Sequence, residues 1–166
     1  MKKWFLILLL CCAGFELQAQ YIYKNAELGI SADFPCQPQE ERESRDEGEG
    51  FEDEYIIFCE QKRSIFSVFI TKMPVFEATR YNIEQYLLTA KNEIIDGFGD
   101  TPILGQQMEV TETSGEMRFR MRSKEINGDF WLQCRSGYLV QIVYLTEEKP
   151  DNATWERFST SFKTDW

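Results

Sequence analysis

Between residues 108 and 145 the chain runs through four short alternating segments, separated by Ser114-Gly115, Asn127-Gly128 and Ser136-Gly137. This spacing predicts an antiparallel meander. Asn-Gly between alternating segments is the strongest short-range hairpin signal, because a type I′ turn needs positive φ at both central residues. A two-residue turn at Asn127-Gly128 faces Ile126 with Asp129, Met121 with Cys134 and Arg122 with Gln133. Met117, Phe119 and Met121 then share one face, face A, with Phe130, Leu132 and Cys134. A turn at Ser114-Gly115 adds Met108 and Val110 to face A and sets Glu109 opposite Arg120. Face B carries Arg118, Arg120, Arg122, Lys124 and Trp131, and a turn at Ser136-Gly137 adds Tyr138, Val140, Ile142 and Tyr144. Residues 138–145 are apolar at nearly every position, as expected of a strand covered on both faces.

Two amphipathic helices are available as covers. Residues 82–97 show the clearer pattern: Asn82 with Gln85 resembles a capping box, Gly97 suits the C′ position, and Ile83, Leu87, Ala90 and Ile94 form one stripe. After Lys149-Pro150, Asp151 or Asn152 can cap a second, shorter helix in which Trp155, Phe158 and Phe162 recur at helical spacing. Residues 21–24 and 28–34 read as strands ended by Pro35 and Pro38. Residues 51–59 and 65–72 read as a hairpin of β-branched and aromatic residues, closed by Pro74. The expected fold is α+β: an antiparallel sheet sandwiched between a central helix and a short C-terminal helix.

With 166 residues, 43% of them hydrophobic, the chain can bury one core, so residues 21–166 are expected to form a single domain. Met1-Lys2-Lys3, the apolar run 4–13 and Leu17-Gln18-Ala19-Gln20 read as a signal peptide over residues 1–20. The run is too short to span a bilayer. Cys11 and Cys12 follow Leu10 and Cys11 rather than the small residues that lipid attachment favours, so cleavage to a periplasmic or secreted protein is expected over a lipid anchor. Losing Lys2, Lys3 and Glu16 lowers the 18 basic and 28 acidic residues to 16 and 27, and the formal charge from −10 to −11. That charge disfavours nucleic acid as a partner.

Cys36, Cys59 and Cys134 remain, and an exported chain keeps disulfides. A turn at Glu47-Gly48 pairs Asp46 with Glu49, and the ladder carried outward brings Cys36 opposite Cys59. A Cys36–Cys59 disulfide is expected, with Cys134 a buried free thiol. The hairpin holding that turn, residues 40–54, has nine acidic and two basic residues. It lacks EF-hand ligand spacing and reads as a solvated edge rather than a calcium site.

A strand ending in Phe34-Pro35 with Pro38 close behind, two hairpins, a central helix, a turn-rich meander and a terminal Arg157-Phe158-Ser159-Thr160-Ser161-Phe162-Lys163 helix resemble the PsbP-like family. That fold is shared by an extrinsic photosystem subunit, a Ran-binding nuclear import factor and small exported bacterial proteins. The resemblance implies an antiparallel sheet between helices and a role in binding or assembling other proteins. It places no functional residue on this chain.

The chain has no histidine, which excludes imidazole-dependent hydrolase sites and His-containing metal sites. It has no Gly-rich phosphate loop, and its acids cluster where nothing would raise a pKa. No catalytic residue, cofactor or metal is expected. Arg118, Arg120 and Arg122 are the sharpest candidates: three guanidiniums on one face could grip a carboxylate or an acidic partner. The plainer expectation is a Glu109–Arg120 cross-strand pair and Lys124 over Trp131. The function expected is a non-enzymatic accessory module that binds another envelope or secreted protein. The alternative is a carrier holding an apolar or anionic molecule between helix and sheet, and the third reading is an enzyme of unknown type.

Overall fold

The computed structural model describes residues 20–43, 53–73, 77–99 and 101–166. The expected leader, all but its last residue, lies outside the described residues, as do the acidic turn at Glu47-Gly48 and Pro74. In chain order the elements are β1 (Tyr21–Asn25), β2 (Ile30–Phe34), β3 (Gln39–Glu43), β4 (Asp53–Gln61), β5 (Ser64–Lys72), α1 (Arg80–Phe98), β6 (Ile103–Val110), β7 (Ser114–Arg122), β8 (Asn127–Arg135), β9 (Tyr138–Thr146), α2 (Asn152–Ser161) and β10 (Lys163–Thr164). The fold is α+β, and every strand pairing is antiparallel. A seven-stranded sheet has the order β3-β4-β5-β9-β8-β7-β6. The single expected sheet is corrected in one respect: the first two strands form a separate sheet, β1-β2-β10, with the chain's end.

Over its central strands the large sheet is covered on both faces. On face A, Ile83, Leu87 and Ala90 of α1 pack on Met117, Phe119, Met121, Phe130, Leu132 and Cys134. On face B, Trp155, Phe158 and Phe162 pack with Phe34 of the small sheet on Ile57, Phe66, Val68 and Ile142. Both apolar stripes lie where the helical spacing places them, but the α1 boundaries move outward. Thr79, not Asn82, is the N-cap, its hydroxyl accepting from the Asn82 amide at 3.2 Å. Gly99, not Gly97, takes positive φ at the end. Asp151 caps α2, accepting from the Ala153 and Thr154 amides. The Thr154 hydroxyl, donating to Asp151, holds that carboxyl below its usual pKa.

Two of the three meander turns lie elsewhere than expected. Ser136-Gly137 is a two-residue turn with both φ values positive, pairing Arg135 with Tyr138. Asn127-Gly128, however, opens β8. The β7–β8 connection is the loop Ser123–Ile126, where the Ser123 hydroxyl accepts from the Glu125 and Ile126 amides and donates to the Ile126 carbonyl. Thr111 closes the β6–β7 turn the same way, accepting from Thr113 and Ser114. Hydroxyl-closed turns of this kind outcompete the glycine positions here. Met121 therefore faces Gly128 rather than Cys134, and Arg122 faces Asn127 rather than Gln133. Glu109 faces Glu116 rather than Arg120.

Gly128 is required for a reason other than positive φ. A Cβ there would lie 2.4 Å from Cε2 and 2.6 Å from Cζ of Phe130, whose ring folds back over it, and 3.1 Å from Leu145. Gly128→Val should destabilise by about 1 to 3 kcal/mol, the usual range for overpacking a filled core. Urea titration checks it, and an unchanged midpoint would mean that the Phe130 ring yields freely.

The Cys36–Cys59 disulfide is present, with Cα atoms 5.8 Å apart, and Cys134 is free and buried. The β3–β4 register pairs Gln39 with Phe58, two residues off the expected ladder, so Cys36 reaches Cys59 from the bend after β2. Burial pushes the Cys134 thiol up to about 12, which leaves it inert. Reducing the bridge, which spans 23 residues, should lower stability by about 3 kcal/mol on the chain-entropy account. Denaturant titration with and without reductant measures this, and equal midpoints would overturn it.

Candidate functional site

The arginine stripe lies on β7, between β6 at the sheet edge and β8. All three side chains stay on face B, but each has its own surroundings. Arg122 is consumed: Nη2 donates to both Asp129 carboxylate oxygens at 2.8 Å, and Nη1 donates to the Met121 and Gly128 carbonyls. Arg120 spends Nε on Asp129 Oδ1 at 3.0 Å and leaves its side chain 47% exposed. The Arg118 guanidinium carbon lies over the Trp131 ring, 4.0 Å from its centroid, and the indole N–H donates to Glu116 at 3.1 Å. The expected Glu109–Arg120 pair is therefore replaced by Asp129–Arg120, and the cation over Trp131 is Arg118 rather than Lys124.

Asp129 is the residue that sequence reasoning missed. It is 1% exposed and faces Arg120 on β7 and Tyr144 on β9. One carboxylate between two guanidiniums restrains both, and Arg120, held at Nε, still leaves about half of its side chain exposed. The available signal was its position as the only acid of β8, on the same face as the arginines.

The stripe floors a groove of about 740 Å³. One wall is β6 from Leu104 to Gln107. The other is Lys149, Pro150 and the first turn of α2, with Asn152, Trp155 and Glu156. Four cations and two acids line it, a local surplus of positive charge on a chain of net −10. Chemically, such a surface can accept carboxylates or another anionic group from a partner.

The space beneath α1 is different. It measures about 130 Å³ and is bordered by Thr71, Tyr86, Ala90, Leu139 and Gln141. Among the described residues, no three His, Cys, Asp or Glu side chains are grouped to hold a metal ion. No described helix is long and apolar enough to cross a membrane. No protein-family model matches the chain, and no curated protein matches it in sequence.

Proposed function

We propose that the chain is a non-enzymatic, extracytoplasmic binding module of the PsbP-like kind, which grips an acidic surface of another envelope or secreted protein in the arginine groove. The observation that carries this reading is the pair Arg118 and Arg120. Both guanidiniums are held in place, by Trp131 and by Asp129, yet both line an open groove. Restrained side chains of this kind lose little further freedom on binding, so more of each charge-assisted contact is realised as affinity. The disulfide is compatible with an oxidising compartment. A carrier site beneath α1 is disfavoured by size, since the space there, about 130 Å³, is well below the roughly 300 to 1,000 Å³ of ordinary ligand pockets. A small anion held in the arginine groove, about 740 Å³, is the second reading.

The test is site-specific photo-crosslinking from Gln107 in cells that export the protein. A discrete adduct with one partner is expected. Arg118→Glu with Arg120→Glu should reduce it by at least about tenfold, since reversal both removes charge-assisted bonds and sets like charges together. No adduct, or one indifferent to charge reversal, would sink the reading.

A further inference from the structure

We infer that the partner enters the groove as an added strand: an extended segment pairs with the free edge of β6 and lays one acidic side chain against Arg118 and Arg120. This rests on the acidic-partner reading of the groove. The two edges of the large sheet are built differently. β3 is fully exposed and four of its five residues are charged, Glu40, Glu41, Arg42 and Glu43, the usual defence of an edge against pairing. Among the described residues β6 is equally an edge, yet Glu109 is its one charged residue, and Ile103 and Leu104 are 36% and 50% exposed. The irregularity between Leu104 and Gln107 guards the start of this edge, but Gln107–Val110 carries one charge, Glu109, and such a stretch beside a binding groove is where strand addition occurs.

The backbone shows which groups would be used. Thr111 donates to the Ser114 carbonyl at 2.8 Å. Hydrogen-bonded and open pairs alternate along an antiparallel ladder, so Glu109 and Gln107 turn their amides to β7. Met108 and Val110 then direct theirs outward. The irregularity between Leu104 and Gln107, where Gly105 has φ +64°, ends this straight run. A segment paired there places alternate side chains on face B, beside Gln107 and beside Glu109. Next to Gln107 stands Arg118, directly opposite it on β7. Next to Glu109 stands Glu116, where a second acid would meet two like charges. The ligand class is thus an extended polypeptide with one acidic residue flanked at i±2 by neutral ones.

The probe is the capped heptapeptide Thr-Thr-Val-Glu-Val-Thr-Thr, compared with its central-lysine form and a form N-methylated at alternate amides. Affinity is measured by titration, and amide exchange by NMR on the intact disulfide-bonded protein. The acidic peptide should slow exchange at Met108 and Val110 at least tenfold at saturation, and bind at least tenfold more tightly than either comparison peptide. Arg118→Ala should weaken it about tenfold, and Arg118→Lys less, with amide protection at saturation retained. Binding that needs Arg118 but is unaffected by N-methylation, with no change at Met108 and Val110, would overturn strand addition and leave the acidic groove standing. Amide protection indifferent to the Glu-to-Lys exchange would overturn the acidic specificity. No binding of any peptide up to millimolar concentration would overturn both.

Discussion

Replacing Asp129 with alanine should lower the unfolding free energy by about 3 kcal/mol, the lower end of the range for breaking a buried ion pair from one side. The carboxylate is almost fully buried, and its loss strands two guanidiniums of unequal freedom. Arg120, already 47% exposed, swings into water at little cost. Arg122 is only 21% exposed and stays tethered to the Met121 and Gly128 carbonyls, so most of the penalty falls on it. Adding Arg122→Met should therefore recover more than half of the loss, because an apolar side chain of similar volume carries no charge to desolvate. Urea denaturation of the single and double variants measures both quantities. A single-variant loss below about 1 kcal/mol, the level of an exposed pair, would show that Asp129 is better hydrated than its burial implies.

Phe158→Ala should cost about 3 to 5 kcal/mol, the range for a large aromatic deleted from a core. The ring is 1% exposed and lies 5.1 Å from Phe34, 5.4 Å from Phe66 and 6.4 Å from Trp155, centroid to centroid. Those neighbours belong to β2, β5 and α2, so one side chain joins the small sheet and the terminal helix to the large sheet. A cavity there cannot be filled by moving one element, since each is fixed by the others. Tyr81→Ala removes a comparable ring that is 70% exposed, and should change stability by no more than about 0.5 kcal/mol. Equal effects of the two substitutions would mean that face B is not closed by Phe158.

The faces of the meander were legible in the sequence while two of its registers were not, and one geometric fact explains both. Moving a hairpin turn by whole residues shifts every cross-strand partner by an even number. Met121 changes partner from Cys134 to Gly128, six residues, and Glu109 from Arg120 to Glu116, four. Even shifts keep each side chain on its face, so alternation placed Met117, Phe119 and Cys134 correctly and could not detect the error. The hydroxyls of Thr111 and Ser123 held the missing information. The cap of α1 shows the same bias, since Thr79 stands three residues before the favoured Asn82. Of the small sheet, β1 and β2 were readable as strands, but β10 is two residues, Lys163–Thr164, too short for any periodicity, so nothing marked the three as a separate sheet. At the site, the common face of Arg118, Arg120 and Arg122 was readable from spacing. Their pairing with Asp129 depended on register, and the groove's second wall on where α2 begins.

The position of β9 in the middle of the large sheet governs how this chain can fold as it is synthesised. Lys72 pairs with Tyr138 and Ser64 with Thr146, so β3-β4-β5 and β6-β7-β8 are two local units whose inner edges face each other across a strand that emerges last of the seven. Until β9 is inserted, β5 and β8 each present an unpaired, largely apolar margin, the kind of surface that joins chains wrongly. Non-local closure of this sort is slow relative to hairpin formation. A chain emerging from its N-terminal end first thus gains nothing from early folding, and keeping it extended until residues 138–146 are free would favour intramolecular insertion over contact between neighbouring molecules.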